Sequence, residues 1–412
     1  MTYRLNAVLG IGALSLSTLA LIQAAPAQAA AGHHCHGQRA TIVGTSRADT
    51  LTGTRHRDVI VGRGGDDVIK GLKGDDIICG GYGADTLLGN AGDDRLYGQG
   101  NAIRRSDGDI PTYFEGDTLD GGAGSDLIST GRDDRTADGV HGGGFEKVTW
   151  ARSPHGIHLD IARGTASGWG HDRIETWTAG GTVYTTSGHA DDVTGSSRAD
   201  RVVSGTGADT VVTGGGADLV DLGSDGADDF ADTGSGGDKV TTQGVGHGVD
   251  RIRTGGTFDS VFAYAGGGAR VHVSTGGGDD LLYMGPGPGS TFVAGAGTNR
   301  GVFLLDPALG DATFDAASGV VTYADGGSAT TSGLGPVQFQ PAGVSTTTLH
   351  YSGTAGADEL ISHIRLDATM LGGDDHVTGS QFDDTIDGGD GTDYADGGLG
   401  ADTCTSVEQG PC

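Results

Sequence analysis

Aspartate residues recur with a strict period of nine early in this chain. From Gly44 to Tyr97 six blocks follow one another without a gap, reading GTSRADTLT, GTRHRDVIV, GRGGDDVIK, GLKGDDIIC, GGYGADTLL and GNAGDDRLY. Glycine opens every block, and the sixth residue is always aspartate: Asp49, Asp58, Asp67, Asp76, Asp85 and Asp94. Glycine-rich turns expose carbonyl oxygens, and a short carboxylate beside them adds another hard oxygen ligand. The pattern therefore predicts turns that bind a hard divalent cation rather than a transition metal.

The same pattern returns in two further arrays. One more block, GGAGSDLIS, lies at 121–129; a second array starts at Gly195, and a third starts at Gly353. Ca²⁺ accepts several oxygen ligands in flexible geometry, whereas Mg²⁺ demands a tighter octahedron, so the predicted ion is Ca²⁺. The predicted ligands are the sixth-position aspartates Asp58, Asp67, Asp76, Asp85, Asp94, Asp126, Asp209, Asp218, Asp280, Asp375, Asp384, Asp393 and Asp402.

The elements that must position these carboxylates follow from the other block positions. Positions 1–6 form a turn, and positions 7–9 form a strand with one inward side chain. In the first six blocks this eighth-position residue is always aliphatic: Leu51, Ile60, Ile69, Ile78, Leu87 and Leu96. Two blocks make one coil, and each block lies over the block after next. The expected stacks are 62–70 with 80–88, 71–79 with 89–97, 370–378 with 388–396, and 379–387 with 397–405. The predicted fold is all-β: a parallel β-roll or β-helix solenoid with Ca²⁺ in the turns between coils.

These blocks resemble the hemolysin-type calcium-binding repeat (RTX) family, whose pattern is G-G-x-G-x-D-x-U-x, across roughly half of the mature chain. The resemblance implies that the sixth-position aspartates and the turn carbonyls hold Ca²⁺. Arg47 and His56 depart from the fourth-position glycine, so the first two blocks are expected to bind poorly and to act as a leading cap. Insertions near 222–232 and 242–244 are expected to break the register of the second array. Aspartates at the fifth position are expected to add auxiliary charge: Asp66, Asp75, Asp93, Asp374 and Asp383.

The composition explains why such a chain needs bound cations. It has 412 residues with 82 Gly, a hydrophobic fraction of 35%, and a formal net charge of −29. Nearly all of the acidic residues are Asp rather than Glu. A chain of this kind buries too little apolar surface to offset its ordering entropy, so it would be disordered without another source of stability. The negative charge also argues against nucleic acid and anionic membranes as partners.

The N-terminus predicts export. Arg4 precedes the apolar run Leu5–Leu21, and Pro26–Ala29 offers an A-x-A cleavage site, so residues 1–29 are interpreted as a signal peptide and the protein as secreted and extracellular. A membrane anchor is the alternative, but no other stretch could span a bilayer, and the mature chain is expected to have no membrane span. Four cysteines fit an oxidising compartment and allow three pairings. Pairing each cysteine with its nearest neighbour in sequence, Cys35 with Cys79 and Cys404 with Cys412, is preferred.

The domain organisation follows the arrays. The predicted units are the signal peptide at 1–29, an N-terminal cap at 30–43, array 1 at 44–129 with an insertion at 98–120, a non-repeat β segment at 130–194, the degenerate array 2 at 195–283, a second non-repeat β segment at 284–352, and array 3 at 353–412 with a disulfide cap. The two non-repeat segments contain alternating β-branched and polar residues, so they are expected to extend the solenoid without metal.

No enzyme signature accompanies the repeats. Motifs for zinc proteases, serine hydrolases and P-loop nucleotide binding are absent, and the histidines lack metal-ligand spacing. The leading hypothesis is a non-enzymatic extracellular scaffold, adhesion or matrix module that folds on binding Ca²⁺ and contacts a surface or matrix polysaccharide or protein. The alternative is a carbohydrate-active β-helix enzyme, a lyase or epimerase, with its site in 130–194, where Trp150, Trp169 and Trp177 lie. A flat ice- or protein-binding face is a third possibility.

Overall fold

The computed structural model describes residues 32–100, 115–123, 126–131, 145–176, 182–266, 268–285, 287–341 and 347–412. These residues form a β-solenoid built almost entirely of strands, with one short 3₁₀ helix, Pro307–Leu309, among the described residues. The predicted all-β parallel solenoid is therefore confirmed. The predicted signal peptide and most of the insertion at 98–120 lie outside the described residues, as does Trp177.

One long sheet, called the first sheet, runs the length of the solenoid and contains 16 strands in parallel. Its strands are Thr50–Thr52, Val68–Lys73, Thr86–Ala91, Glu115–Ala123, Phe145–Thr149, Thr182–Thr185, Arg201–Val203, Leu219–Asp221, Lys239–Gly244, Ser260–Ala265, Leu281–Gly285, Asn299–Leu305, Leu334–Pro341, Glu359–Ser362, His376–Thr378 and Tyr394–Asp396.

The opposite wall, called the second sheet, receives the alternate strands. They are Ile42–Val43, Val59–Gly64, Ile77–Tyr82, Arg95–Gly100, Leu127–Gly131, His158–Asp160, Thr165–Ser167, His171–Thr176, Asp192–Thr194, Thr210–Val212, Phe230–Asp232, Val249–Gly256, Arg270–Gly277, Thr291–Val293, Ala312–Asp315, Val320–Tyr323, Ser328–Ser332, Thr348–Ser352, Arg365–Thr369, Thr385–Asp387 and Thr403–Thr405. The strands of successive coils in the arrays of this sheet pair in parallel.

The coil repeat is two blocks, as the period predicts. Ile69 pairs with Leu87 in the first sheet, and Ile78 pairs with Leu96 in the second. The predicted stacks of array 3 are also present, since Val377 pairs with Ala395. The eighth-position side chains from both sheets meet between them and are almost completely buried. In the arrays, each coil thus contributes two main side chains to the core between the sheets, which makes that core narrow.

The register of the first sheet includes residues near the end of the predicted insertion at 98–120. Leu119, assigned to the insertion at 98–120, pairs with Leu87 in the first sheet, so the solenoid has already resumed by Glu115–Ala123. The sequence around it, EGDTLD, carries the Asp-x-Leu spacing of a block. The end of the insertion is therefore a coil of the solenoid, and its nonameric pattern is hidden only by the missing glycines.

The two non-repeat segments share one topology. In 130–194 the strand Thr165–Ser167 runs antiparallel between His158–Asp160 and His171–Thr176. In 284–352 the strand Val320–Tyr323 runs antiparallel between Ala312–Asp315 and Ser328–Ser332. Both excursions lie in the second sheet, and the first sheet passes them with its parallel order intact. Both segments thus add strands to the solenoid, and each also contains an antiparallel excursion that the alternating sequence pattern does not predict.

The second of these segments has the largest aromatic core of the molecule's described part. Phe303 stacks on Phe339 with ring centroids 4.7 Å apart, and Phe314 packs against both rings. Tyr351 lies 5.6 Å from Phe314. These rings bury far more apolar surface per coil than the paired aliphatic residues of the arrays. This segment can therefore be held together by packing alone.

Disulfides close both ends of the described solenoid. Cys35 is bonded to Cys79, which fixes the hairpin of His34–Cys35 and Gln38–Arg39 against the second sheet. Cys404 is bonded to Cys412, which folds the C-terminal residues back over the last coil. Both bonds agree with the pairing preferred from sequence. No helix in the described ranges is both long and apolar enough to cross a membrane.

The turns depend on backbone that favours glycine. Gly83, the fourth residue of its block, has a φ of 144°, and a Cβ there would collide with the carbonyl oxygen of Gly65 in the preceding coil. In several blocks the second position is also left-handed, even where it carries a side chain, as in Arg63, Leu72 and Asn90. Both features turn successive carbonyl groups toward the space between neighbouring coils, where the aspartates lie.

Candidate metal centre

The aspartates form ladders that run along each edge of the solenoid. The backbone N–H of Asp58 donates to Oδ1 of Asp76 at 2.7 Å, and the N–H of Asp76 donates to Oδ1 of Asp94 at 2.8 Å. The N–H of Asp94 continues the ladder to Asp126. Each carboxylate thus reaches across to the preceding coil through one of its two oxygens.

The same bond recurs in every array. Other donor and acceptor pairs are Asp49 and Asp67, Asp67 and Asp85, Asp191 and Asp209, Asp200 and Asp218, Asp209 and Asp229, Asp218 and Asp238, Asp238 and Asp259, Asp259 and Asp280, Asp358 and Asp375, Asp375 and Asp393, and Asp384 and Asp402. The expectation that insertions break the register of array 2 is wrong. The step between paired aspartates grows from 18 to 20 and 21 residues, but the extra residues are absorbed in the turns and the ladder continues.

The second carboxylate oxygen defines one class of turn, called open turns. In these turns Oδ2 is buried and has no hydrogen-bond partner. The whole residue is buried as well, since Asp76 is 0% and Asp94 1% exposed. The aspartates of the open turns are Asp67, Asp76, Asp94, Asp126, Asp209, Asp218, Asp238, Asp280, Asp375 and Asp393. A buried charged oxygen without a partner carries a large desolvation cost, so these turns have an unmet need for a positive charge.

Burial also raises the pKa of carboxyl groups on these ladders. Burial, opposed by the ladder hydrogen bond and reinforced by neighbouring aspartates, raises the pKa of Asp67, Asp94 and Asp126 to about 7. It raises the pKa of Asp76 and Asp85 to about 6. A bound divalent cation would reverse this effect, because an adjacent positive charge favours the ionised carboxylate.

Carbonyl oxygens approach the same place. A Cβ added at Gly62 would collide both with Oδ2 of Asp67 and with the carbonyl oxygen of Gly80 in the next coil. Gly71 stands in the same relation to Asp76. Within the described ranges, no three His, Cys, Asp or Glu side chains group as a metal site, so side chains alone cannot supply a full ligand set. One carboxylate oxygen supplemented by turn carbonyls is a hard, all-oxygen donor set that fits Ca²⁺.

A second class of turn satisfies the carboxylate from within and is called closed. In the turn of Asp58, Oδ2 accepts hydrogen bonds from the backbone N–H of Thr54 at 2.6 Å and from its hydroxyl at 2.9 Å. The backbone N–H of a Ser or Thr at the second position or its equivalent donates in the same way to Oδ2 of Asp49, Asp191, Asp200, Asp358 and Asp384. In these turns hydrogen-bond donors of the protein satisfy the carboxylate oxygen that a cation would otherwise bind.

The two classes sort the aspartates predicted from sequence. Asp67, Asp76, Asp94, Asp126, Asp209, Asp218, Asp280, Asp375 and Asp393 lie in open turns. Asp85 is buried on the same ladder, and Asp402 accepts the last ladder bond of the second sheet. Asp58 and Asp384 lie in closed turns. The leading cap expected at the first two blocks therefore corresponds to two closed turns, with Thr45 and Thr54 as the residues that close them.

Several ladder aspartates were not among the predicted ligands. Asp229, Asp238 and Asp259 continue the ladders of array 2, and burial raises the pKa of Asp229 to about 7 and that of Asp259 to about 6. The signal available in the sequence is an aspartate two residues before an inward-facing apolar residue, as in DFA and DSV. That spacing survives the insertions that obscure the glycine pattern.

Array 2 also differs at the first block position. Arrays 1 and 3 have mostly glycine there, whereas array 2 has Ser204, Thr213, Thr233, Thr254 and Thr275. The hydroxyl of Thr254 donates to the carbonyl oxygen of Thr275 at 3.1 Å, and that of Thr213 donates to Thr233 at 3.4 Å. These hydroxyl groups lie among the carbonyl oxygens that face the carboxylates in the other arrays. Because two of these five hydroxyl groups bind a carbonyl oxygen of the next coil, we expect array 2 to depend less on an external cation than arrays 1 and 3.

Protein donors end the ladders. The ladder of array 1 reaches Asp172, whose Oδ2 accepts the indole N–H of the fully buried Trp150 at 2.6 Å. The first-sheet ladder of array 2 ends at Asn299, an amide in place of a carboxylate. Its Nδ2 donates to the carbonyl oxygens of Gly295 and Gly333, both at 3.0 Å. At this position of the ladder the neutral amide of Asn299 donates to carbonyl oxygens that would otherwise be available to a cation.

The fifth-position aspartates have a separate role. Oδ1 of Asp75 accepts the N–H of Asp93 at 3.1 Å, and Oδ1 of Asp374 accepts that of Thr392 at 3.0 Å. Asp66 and Asp383 make the equivalent bonds to the following coil. These carboxylates brace neighbouring turns and add negative charge beside the open turns, which agrees with their expected auxiliary role.

Comparison with known families identifies the turns. The RTX calcium-binding nonapeptide repeat (4 copies) matches residues 43–78, 79–102, 115–137, 194–226 and 371–404, which fall in all three arrays. A search of curated proteins found no match. The matched ranges contain open turns of both ladders and the glycine-rich backbone that positions them. The repeats are thus RTX calcium-binding nonapeptide repeats, and the chain is a calcium-binding RTX β-solenoid.

Proposed function

We propose that this protein is a secreted, non-enzymatic extracellular scaffold or adhesion module whose arrays fold when Ca²⁺ binds in the open turns. The observation that supports this most is the row of buried Oδ2 atoms without partners. The proposed ligands are the open-turn aspartates together with Asp85 and Asp402, each completed by turn carbonyls. Closed turns, including those of Asp58 and Asp384, are proposed to hold no ion.

The proposed role follows from electrostatics. The open-turn carboxylates repel one another along each ladder, and the core between the sheets is only two aliphatic residues per coil. Ca²⁺ supplies the positive charge that permits the carboxylates to stay ionised and close together. The residues of the chain themselves orient the site: the ladder bond fixes Oδ1, and the left-handed turn positions direct the carbonyls. Extracellular Ca²⁺ modules typically bind at about 10⁻⁴–10⁻³ M, so folding would follow export.

Two matched substitutions test this assignment of turns. Asp76→Asn, in an open turn, is expected to remove about one bound ion and weaken Ca²⁺ binding about tenfold or more, because the ligand charge is lost. Asp58→Asn, in the adjacent closed turn of the same ladder, is expected to leave the ion count unchanged. It should instead cost about 1–3 kcal/mol of stability, because an amide N–H would face the donors of Thr54. Calcium counting by calorimetry and native mass spectrometry checks both, and equal ion loss in the two variants would contradict the two classes.

Secretion rests on the signal-like N-terminus, and RTX repeats are typical of secreted proteins. Expression of the whole chain in a bacterium with a general secretory pathway is expected to release a protein that begins near residue 30, since Ala29 ends the A-x-A site. Mass spectrometry of the released protein reads this N-terminus directly. The matched control is Ala29→Arg, which should block cleavage. Release of a chain that still begins at Met1 would contradict the assignment.

The enzymatic alternative gains no support from the described part of 130–194. Trp150 is fully buried and bonded to Asp172, so it serves packing rather than sugar binding. His158 lies on an exposed strand face opposite Asp192, in a cross-strand pair.

A further inference from the structure

A cluster of basic side chains lies on the outer face of the second sheet. Arg251 and Arg253 project from Val249–Gly256, and Arg270 and His272 project from the next strand. The residues between them, such as Ile252 and Val271, point into the core, so the basic residues share the outer face. The register places Arg251 beside His272. These four residues are called the basic face.

The arginines of the basic face are not used in ion pairs within the described residues. The guanidinium of Arg253 lies 5.7 Å from the centre of the Phe230 ring, and Arg251 donates to the carbonyl oxygen of Val249 at 3.5 Å. By contrast, Arg152 and Arg163 each bond a nearby carboxylate. In a protein with a formal charge of −29, three clustered arginines without carboxylate partners form a local positive surface that is open to an external anion.

His272 lies in the positive field of the neighbouring arginines. Burial, together with Arg251 and Arg270, lowers the pKa of His272 below its ordinary value. One ring nitrogen, Nδ1, lies 2.7 Å from the hydroxyl oxygen of Thr291. His272 is therefore neutral at pH 7 and serves as a polar contact beside the arginines rather than as a fourth charge.

The surroundings of the basic face are flat and carry hydroxyl groups. The strand before the basic face presents Phe230 and Asp232, with the half-buried Asp232 beside Arg253, and the strand after it presents Thr291 and Val293, which is 46% exposed. Exposed Thr210, Ser274 and Thr330 lie on the same side of the sheet. Neighbouring strands lie about 4.8 Å apart, and alternate residues on one strand about 6.6 Å apart. The guanidinium groups are thus held at short, fixed intervals by a rigid sheet, which suits an extended polyanion better than a small ligand in a cleft.

We propose that the basic face binds the carboxylate or sulfate groups of an acidic polysaccharide. Guanidinium groups recognise both anions through paired N–H bonds, and the threonine hydroxyls and Val293 match the mixed polar and apolar surface of a sugar ring. Nucleic acid fits less well, because the ring of Phe230 is covered by the guanidinium of Arg253 and is therefore not free to stack on a base. This inference names the partner of the proposed scaffold. It rests on the proposed function, because the protein and the polysaccharide would meet outside the cell.

Binding of the Ca²⁺-loaded mature protein to immobilised dextran sulfate, hyaluronate and neutral dextran tests the proposal. We expect binding to the two acidic polymers, none to dextran, and weakening with added salt. The double variant R251S/R270S is expected to bind about tenfold more weakly or worse. The matched control R55S/R365S removes the same charge from exposed sites elsewhere and should bind within about twofold of the unaltered protein.

Circular dichroism and Ca²⁺ counting on both double variants separate this proposal from the proposed function. Unchanged spectra and ion counts in R251S/R270S show that the scaffold is intact, so any change in binding belongs to the basic face. Equal weakening in both double variants, or no binding of either acidic polymer by the unaltered protein, would overturn the proposal. Arginine-dependent binding to a single-stranded oligonucleotide without binding to either polysaccharide would also overturn it and assign the face to nucleic acid. Binding to only one acidic polymer would identify the anion as carboxylate or sulfate.

Discussion

Removing Ca²⁺ with a chelator at pH 8 is expected to abolish most of the β-sheet circular dichroism of this protein. At that pH the open-turn carboxylates are ionised, since burial raises the pKa of Asp67, Asp94 and Asp126 only to about 7. Their Oδ2 atoms have no protein donors, and successive aspartates along each ladder repel one another. The two aliphatic side chains of each coil cannot offset this repulsion together with the ordering entropy of the chain.

The loss is expected to be uneven along the chain, and hydrogen exchange measured by mass spectrometry would show it. Array 1 from 62 to 97 and array 3 from 370 to 405 should lose protection first, because four of their five open turns begin with glycine and none has a hydroxyl group at the first position. Array 2 should follow, since its threonine hydroxyls bond the carbonyls between coils. The segment 299–341 should keep its protection longest, because Phe303, Phe314 and Phe339 pack together without any ladder aspartate.

Readdition experiments provide the control for chelation. Ca²⁺ should restore the spectrum, whereas Mg²⁺ at the same concentration should not, because it prefers a tighter octahedral set than the turns offer. A β spectrum that is unchanged by chelation at pH 8 would contradict the electrostatic account. Uniform loss of protection along the chain would leave calcium dependence intact but contradict the inferred order of the segments.

Much of this site could be predicted from sequence because the repeat is strictly local. Gly83 and its equivalents fix the turn, Ile69 and its equivalents fix the inward face, and a period of nine places Asp67 over Asp85 two blocks later. Each of these relations needs only a few neighbouring residues. The coil register and the positions of most ladder aspartates follow from them, whereas the disulfide pairing was preferred only from nearness in sequence.

The sequence does not reveal which atom satisfies each carboxylate, and this decides whether a turn is open or closed. Asp58 and Asp76 occupy the same block position, yet Thr54 closes one turn, while the left-handed backbone at Leu72 keeps the other open. Trp150 reaches Asp172 from another strand 22 residues away, so no local pattern reveals their hydrogen bond. The ladder of array 2 likewise survives insertions because hydrogen bonds between coils tolerate longer turns, which a fixed period cannot express.

The Ca²⁺-free protein is expected to refold when the pH is lowered from 8 to 5. Burial raises the folded-state pKa of Asp76 to about 6 and that of Asp94 to about 7, above their unfolded values, so between pH 4 and 7 the folded state binds more protons than the unfolded state. The folded state without Ca²⁺ is therefore favoured at low pH and loses stability as the pH rises through about 6–7. Circular dichroism in chelator across this range should show the transition. In saturating Ca²⁺ the same range should show none, because the cation holds the carboxylates ionised.

Asparagine substitutions on the ladder test this pH prediction further. The chain already contains an asparagine at a ladder position, Asn299. Its amide keeps the ladder bond and donates to two carbonyl oxygens without carrying charge. The double variant D76N/D94N is therefore expected to be more stable than the unaltered protein in chelator at pH 8 and less stable in saturating Ca²⁺, with a weaker pH dependence between 5 and 8. The fifth-position variant D75N/D93N is the matched control, since it removes the same charge beside the open turns and should keep the transition near pH 6–7. A destabilising effect of D76N/D94N under both conditions would show that these carboxylates are held by protein contacts rather than by charge, and would refute the ladder as a cation site.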